Sequence, residues 1–226
     1  MKRGDHGSGG VTIMVDESLK CREVRRSKNE DLLWICIECE TEKWFVGGVY
    51  LVPPSASRRR KADELVEEVG RDVARFCLEG QVILAGDWNC KIGHLESVGQ
   101  GDVFERKSVS EKVDSRGKRI IELLNMSDMV VLNGVQGTRA QYTCKGVRGD
   151  GIDYVAVSCA LVERTSQLEY GCEKELDTDH VALSCKIKLL SSRRLTENKK
   201  NKQAAKVSFK LVGSVNPSVE MDPTSE

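Results

Sequence analysis

The sequence lacks any long apolar run and shows no secretory leader in its opening residues. No stretch of about 18 consecutive apolar residues occurs, which predicts that no helix of ordinary length spans a membrane. The first ten residues, MKRGDHGSGG, contain no apolar segment of the kind that a signal peptide requires. We therefore expect an intracellular protein, in the nucleus or the cytoplasm, that does not associate with a membrane.

Paired metal-binding cysteine motifs are also absent. The nine cysteines are spread along the chain, and Cys36 and Cys39 form a single C-x-x-C motif inside LLWICIECE. A structural zinc site usually needs a second pair at a matching distance, and disulfide frameworks belong mainly to exported proteins. The pattern therefore predicts free thiols, with Cys36 and Cys39 as ordinary strand residues.

The chain also carries no net charge, because 35 lysines and arginines balance 35 aspartates and glutamates. The balance is uneven along the chain: residues 191–211 hold seven basic residues and one acid. Phosphate binding rests mainly on Lys and Arg, so the acidic balance of the preceding residues predicts no strongly basic groove. Any contact with nucleic acid would have to come from local patches and from this basic tail.

Apolar and β-branched segments predict the first strands at GSGGVTIMV, LLWICIECE and KWFVGGVYLVPP, the last of which ends at Pro53 and Pro54. Residues 55–80 then carry apolar side chains at helical spacing and end in Gly80. That spacing predicts an amphipathic helix, whose inner face is formed by Leu65, Val66, Val69, Val73 and Phe76.

A short apolar strand, QVILAGDWN, and a second amphipathic helix, RGKRIIELLNMSD, follow. Further strands are predicted at MVVLNG, QYTCKG, GIDYVAVS and HVALSCKIKL. Beyond residue 190 the apolar periodicity ends, which predicts one domain over residues 1–190 and a linker or disordered tail over residues 191–226. Many strands and two helices predict a layered α/β or α+β domain, in which sheet packs on sheet and helices lie outside.

Asp87 and Asn89 follow the apolar strand in the segment VILAGDWNCKIG. Alternate residues of an extended strand point the same way, so the acid and the amide are predicted to share one face. A carboxylate can take a proton from water or hold a metal, and an amide can hydrogen-bond a phosphoryl oxygen. Taken alone, GDWN is also typical of an Asx turn that ends a strand.

Two other strands have acids at their entry. Asp153 opens the apolar strand in GDGIDYVAVS, and Asp179 and His180 directly precede the last predicted strand in ELDTDHVALSCKI. A lone acid before a strand is usually a turn residue, whereas the D-T-D-H stretch combines three ionisable residues. Together these side chains supply what metal-assisted phosphodiester hydrolysis needs: oxygen ligands for Mg²⁺, an acid that activates water, and a histidine that meets the phosphate.

GDWN, IDYV and TDH, in this order, resemble the later motifs of the endonuclease/exonuclease/phosphatase superfamily, which includes deoxyribonuclease I and the apurinic/apyrimidinic endonucleases. GSGGVTIMVDESL, VYLVPP and LLNMSDMVVLNG further resemble the endonuclease domain of LINE-type retrotransposons. The resemblance covers roughly residues 7–190. It implies an α+β fold, the four-layer α/β/β/α sandwich of the deoxyribonuclease I-like type, and a metal-dependent phosphodiesterase that acts on DNA.

The resemblance also implies a role for each motif residue. Asp87 would activate the attacking water or position it at the metal, and Asn89 would hold the scissile phosphate. His180 would contact a non-bridging phosphate oxygen, and Asp153 would orient that histidine by binding one ring nitrogen. Asp179 would join Asp87 at the metal, for which Mg²⁺ is expected and Mn²⁺ is the alternative.

Two more residues match the resemblance less strongly. Tyr50, in VYLVPP, matches a tyrosine that hydrogen-bonds phosphate, although a strand tyrosine in the core is the plainer interpretation. Thr143, in QYTCKG, matches a DNA-contacting position of the LINE-type enzymes.

The start of the sequence departs from the superfamily pattern. Superfamily members begin with a strand that carries an Asn and a second strand that ends in a metal-binding Glu, and the glycine-rich stretch comes afterwards. This sequence starts at that stretch, so the resemblance implies a truncated domain that lacks its first strands and has weak or no catalysis. Two other functions stay open: a non-catalytic nucleic-acid-binding or scaffold protein that kept the fold, and a phosphoesterase for lipid or small-molecule phosphates.

Overall fold

A computed structural model describes residues 10–28, 30–39, 41–53, 59–135, 140–144, 151–171, 178–188 and 206–211. Within them the strands are β1 (Cys21–Arg26), β2 (Leu32–Glu38), β3 (Lys43–Tyr50), β4 (Gln81–Asp87), β5 (Ser97–Gly99), β6 (Asp102–Phe104), β7 (Met129–Val131), β8 (Asp153–Ser158), β9 (Glu169–Gly171), β10 (Ala182–Lys188) and β11 (Lys206–Leu211). The α-helices are α1 (Arg59–Cys77) and α2 (Ser115–Asn125), and a short 3₁₀ helix covers Cys159–Arg164.

Six strands form the large sheet, in the order β1-β2-β3-β4-β8-β7. β3 and β4 run parallel, as a strand–helix–strand unit through α1 requires, and the other neighbours are antiparallel. The register aligns Tyr50 with Asp87 across β3 and β4, and Asp87 with Asp153 across β4 and β8. Three of the predicted site residues therefore lie side by side at one end of the sheet.

Both helices cover one face of the large sheet, and the predicted inner face of α1 is confirmed because all five of its apolar residues are buried. The ring of Phe76 in α1 stacks on Phe45 of β3 at a centroid distance of 4.5 Å and lies 5.1 Å from the ring of Trp34 in β2. These aromatic contacts fix α1 against the sheet. Neither helix is long and apolar enough to cross a membrane.

The other face of the large sheet packs on a smaller sheet, whose strand order is β11-β10-β9. Leu183, Cys185 and Ile187 alternate along β10 and are buried in this second core. Arg164 connects the two sheets. Its guanidinium binds Glu42 at 2.5 Å and lies over the ring of Trp44 in β3, and it also donates to the carbonyl oxygen of Lys188 in β10 at 2.8 Å. Helices, large sheet and small sheet are stacked layers of the predicted deoxyribonuclease I-like sandwich.

Two strand predictions were wrong. Residues 10–16 form no strand in the structure, although Val11, Ile13 and Val15 are half-buried in alternation, and the first strand is the charged segment Cys21–Arg26. Of the predicted strand QYTCKG the structure describes residues 141–144, which make a single bridge, in which Cys144 pairs with His180. A strand needs a hydrogen-bonded partner as well as an alternating pattern, and the local sequence does not report that partner.

The predicted tail contains one more strand than expected. Lys206–Leu211 forms β11 and pairs antiparallel with β10, whereas the sequence predicted a linker or disorder from residue 191. In KVSFKL apolar and polar residues alternate with the period of a strand, a signal that the basic composition around it obscured. The other residues of 191–226 lie outside the described part of the chain, so the domain boundary stays a prediction.

Candidate active site

The site begins where β4 ends, and Gly86 shapes that end. A Cβ atom on Gly86 would lie 1.8 Å from the carbonyl oxygen of Val49 in β3, and the residue has a φ of +155°. Only glycine therefore lets the two parallel strands stay paired up to Tyr50 and Asp87.

Asp87 and Asn89 meet through a tight turn. The backbone N–H of Asn89 donates to Oδ1 of Asp87 at 2.9 Å, which is the Asx turn that GDWN also allowed. The Asn89 side-chain amide donates to Oδ2 of Asp87 and to the carbonyl oxygen of Leu51, both at 2.9 Å. Asn89 has a φ of +42°, so a left-handed turn and not the strand pleat brings the two side chains together.

Asp153 and His180 form the second pair of the site. Nδ1 of His180 lies 2.9 Å and 3.1 Å from the two carboxylate oxygens of Asp153. Asp153 is 2% exposed and His180 is 9% exposed, so both groups are largely removed from water. Because the carboxylate accepts the proton on Nδ1, the other ring nitrogen is left for a different partner.

Two titratable groups of the site have raised pKa values. Burial, and after it the nearby charge of Asp153, raise the pKa of Asp87 to about 7, against the hydrogen bonds from Asn89. The hydrogen bond to Asp153 is the main cause that raises the pKa of His180, against the effect of its burial. Near neutral pH, Asp87 can therefore exchange a proton while His180 tends to keep its own.

Two groups of side chains could hold a cation, and both include His180. Ligand atoms of Asp87, Asp153 and His180 lie within 4.8 Å of one another, as do those of Cys144, Asp179 and His180. In the described part of the chain no such group contains both Asp87 and Asp179, the pair that the sequence predicted at the metal. Asp179 instead lies beside the free ring nitrogen, with Oδ1 at 3.9 Å from Nε2 of His180.

Tyr50 and Thr143 lie near the site in different ways. Tyr50 is half-buried, and the sheet register sets it beside Asp87. Thr143 is fully buried, and its hydroxyl oxygen accepts the backbone N–H groups of Ile152 and Asp153, each at 3.0 Å. Its side chain is therefore not exposed for the predicted contact with DNA; it fixes the start of β8.

Three supporting residues were not predicted from the sequence. Arg116 is 8% exposed and donates to the carbonyl oxygens of Val52 (2.9 Å) and Asn89 (3.2 Å), so it fixes the turn after Asp87. Asp114 caps α2 by accepting the N–H of Gly117. Asn133 donates to the carbonyl oxygen of Asp153 and accepts from Val155. Asp114 and Asn133 had a readable signal, since one precedes a helical pattern and the other follows an apolar strand.

Solved structures of low sequence identity share this fold. The endonuclease domain of TRAS1, a telomere-specific non-LTR retrotransposon, superposes with a TM-score of 0.55 at 15% identity, over 74% of this chain and 66% of that one. The AP endonuclease LMAP from Leishmania major gives 0.53 at 14% identity, over 73% of this chain and 60% of that one. The 3′-5′ exonuclease NExo from Neisseria meningitidis gives 0.50 at 17% identity, over 68% and 64%.

These similarities show that the chain has a nuclease-like fold. More particularly, the chain has the fold of the endonuclease/exonuclease/phosphatase superfamily, as the motifs GDWN, IDYV and TDH predicted. It spans less than two thirds of the length of each of these three structures. No protein-family model matches the sequence. No curated protein matches it either.

Proposed function

We propose that the protein is a metal-dependent phosphodiesterase that cleaves DNA as a retrotransposon-type endonuclease. The observation that carries the proposal is the contact between Asp153 and Nδ1 of His180 at 2.9 Å, in one group with Asp87. A buried carboxylate that orients an imidazole, beside a second acid with a pKa of about 7, is an acid–base arrangement suited to hydrolysis. The likeness to the TRAS1 endonuclease domain supports DNA as the substrate.

In the proposed reaction Asp87 takes a proton from a water molecule as the water oxygen bonds to phosphorus. The bond from phosphorus to the leaving sugar oxygen breaks, and that oxygen receives a proton from solvent. His180, held by Asp153, donates a hydrogen bond from Nε2 to a non-bridging oxygen, where negative charge increases in the transition state. Its raised pKa favours the protonated form that this role needs.

Asn89 and Tyr50 are the proposed phosphate contacts. Both hydrogens of the Asn89 amide are engaged, one by Asp87 and one by Leu51. Holding a phosphate oxygen through this amide would require one of those two hydrogen bonds to be exchanged. Tyr50 lies at the same end of the sheet, beside Asp87.

A divalent cation fits the acidic end of the site. Asp87 and Asp153 bring two carboxylates within 4.8 Å, and the raised pKa of Asp87 is partly caused by the charge of Asp153. Mg²⁺, or Mn²⁺, would be held there by Asp87, with Asp179 as the further ligand proposed from the sequence. When bound, such an ion polarises a phosphate oxygen and neutralises charge that develops on it.

The proposed partner is DNA, contacted by local patches of the domain and by the basic residues of 191–211. This substrate is consistent with an intracellular protein of the nucleus or the cytoplasm. An electrostatic contribution from the basic tail predicts that binding to DNA weakens as salt concentration rises.

Conversion of supercoiled plasmid to the nicked form tests the proposal. The full chain should nick DNA with Mg²⁺ or Mn²⁺ and not with EDTA. Asp87→Asn and His180→Gln should each lower the rate at least about a hundredfold, because each removes a proton-transfer or charge-stabilising group. The matched control is Asp102→Asn, which removes the charge of an exposed acid in β6. Asp102 lies near Cys159, which follows the end of β8, whereas Asp153 begins that strand.

The control should nick DNA at the rate of the unaltered chain. Nicking that survives both substitutions, or that persists in EDTA, would overturn the proposed mechanism. Salt-dependent binding to DNA without any cleavage would instead favour a protein that kept the fold and binds nucleic acid.

A further inference from the structure

A thiol, a carboxylate and an imidazole converge beside the proposed active site. Sγ of Cys144 lies 3.7 Å from Oδ2 of Asp179, and Oδ1 of Asp179 lies 3.9 Å from Nε2 of His180. The three ligand atoms are all within 4.8 Å of one another. Neither the proposed hydrolysis nor the sequence motifs use Cys144, so this cluster needs a separate explanation.

The backbone fixes the arrangement. Cys144 and His180 pair in an antiparallel bridge, and the carbonyl oxygen of Thr143 accepts the N–H of Val181 at 2.7 Å. Two short segments that are distant in sequence are thereby held side by side. The backbone pairing thus fixes the positions of Cys144 and His180 relative to each other, and Asp179 is the exposed residue of the cluster.

The donor set matches a particular class of cation. Thiolate sulfur and imidazole nitrogen suit borderline-soft ions such as Zn²⁺, whereas Mg²⁺ prefers oxygen ligands. Ligands of a tetrahedral zinc ion lie roughly 3.4–3.6 Å apart, given bonds of about 2.0–2.3 Å. The separations of 3.7 Å and 3.9 Å involve the two different oxygens of Asp179, and all three ligand atoms lie within 4.8 Å. A rotation of the exposed Asp179 carboxylate, with movements of about 1 Å in the other side chains, would bring them to those values.

The hydrogen bond on the far side of His180 favours the same ion. Histidines that bind zinc usually donate their other ring N–H to a carboxylate, which fixes the tautomer and makes the ligating nitrogen more basic. Asp153 occupies that position, with Nδ1 of His180 at 2.9 Å. Nε2, which faces Asp179, is therefore already oriented as a metal ligand.

We propose that Cys144, Asp179 and His180 form a binding site for Zn²⁺, with a fourth position open to water. The site lies beside the group formed by Asp87, Asp153 and His180 and shares His180 with it. It would also use Asp179, which the sequence proposed as a further ligand of the cation at Asp87. Zinc there would occupy the ring nitrogen that the proposed hydrolysis needs to face phosphate. Zinc bound at the site would therefore inhibit cleavage. This inhibition rests on the proposed function, whereas the binding of zinc does not depend on it.

Cobalt(II) is the probe for the binding test, because it replaces zinc in such sites and gives a thiolate charge-transfer absorption. The full chain, purified without a histidine tag and in its reduced form, should bind Co²⁺ with this absorption, and Zn²⁺ should abolish it. Cys144→Ser should remove the absorption and weaken the binding at least tenfold. Asp179→Asn should keep the absorption and weaken the binding, because it removes an oxygen ligand and leaves the sulfur.

The matched control is Cys39→Ser, the same substitution at another half-buried cysteine, in the C-x-x-C motif. It should bind Co²⁺ as the unaltered chain does. A thiolate absorption that survives Cys144→Ser, that disappears in Cys39→Ser, or that never forms in the unaltered chain would overturn the proposal. Circular dichroism of each variant establishes that it is folded, so a lost absorption reports a lost ligand.

The inhibition is tested as a ratio of nicking rates with and without added zinc. That ratio should be much smaller for the unaltered chain than for Cys144→Ser. Equal ratios would overturn the inhibitory role and leave the binding result unaffected. If the chain nicks no DNA at all, the proposed function fails while the cobalt measurement still decides the metal site.

Discussion

The carboxylate of Asp153 lies 2.9 Å from Nδ1 of His180, across 27 residues of sequence and between β8 and the segment that precedes β10. This contact joins the large sheet to the small sheet at the site. It also determines which ring nitrogen of His180 faces the solvent side, and both the proposed hydrolysis and the proposed zinc site depend on that choice. The contact is therefore the first relationship to test.

Asp153→Asn should lower the pKa of His180. The hydrogen bond that His180 donates to Asp153 is the main cause of the raised pKa, and burial alone would lower it. Nuclear magnetic resonance of the imidazole protons measures this directly, because the chain has only three histidines. His180→Gln assigns the signal, and an unchanged titration in Asp153→Asn would contradict the structural account.

Asp87→Asn should change how stability depends on pH. The pKa of Asp87 is about 7 in the folded protein against an ordinary 3.8, so the folded state holds the proton more tightly. Its contribution to stability is thus fully present below about pH 4 and is lost as pH rises to about 7. The free energy lost is at most roughly 4 kcal/mol.

The variant has no charge to bury, so it should gain stability over the unaltered chain at pH 8 and little at pH 4.5. Loss of the hydrogen bond from the Asn89 amide offsets about 1 kcal/mol of that gain. Urea unfolding at the two pH values measures the difference. If the variant and the unaltered chain differed in stability by the same amount at both pH values, the pKa of Asp87 would not be raised in the folded state.

Gly86→Ala should destabilise the fold by about 3 kcal/mol or more. The added Cβ would lie 1.8 Å from the carbonyl oxygen of Val49, and backbone cannot move aside as a flexible side chain can. Gly171→Ala in β9 is the matched control, because a Cβ there meets nothing within 4 Å. Urea unfolding of the two variants separates them, and equal stabilities would contradict the strand pairing at Gly86.

Part of this site could be predicted from the sequence because strand ends leave a local signal. Asp87, Asp153 and His180 each adjoin an apolar run, and polar residues at the edge of such a run mark where the strand begins or ends. Their mutual contact left no local signal, since Asp87 and Asp153 pair across 66 residues. The resemblance to known motifs assigned both residues to one site, and the register of β4 and β8 sets them side by side.

Edge strands explain the errors in the predicted fold. β1 reads CREVRR and lies at the edge of the large sheet, where charged side chains are tolerated, so its sequence lacks an apolar signal. Residues 10–16 alternate as a strand does, yet no strand partner is found for them among the described residues. Pairing is a property of two segments, and a single segment cannot report it.

Thr143→Val should destabilise the protein and leave its affinity for DNA largely unchanged once folded. The hydroxyl oxygen accepts the N–H groups of Ile152 and Asp153, and valine has the same shape without an acceptor. The buried N–H of Asp153 would lose its partner, at a cost of roughly 1–3 kcal/mol, and the part-buried N–H of Ile152 would lose its partner at a smaller cost. Thr143→Ser keeps the oxygen and should retain most of the stability.

Urea unfolding ranks the stabilities of the two variants and the unaltered chain, and salt-dependent DNA binding is measured at urea concentrations below those that unfold them. A selective loss of DNA affinity in Thr143→Val at full stability would restore the DNA contact that the sequence predicted and contradict the positioning role.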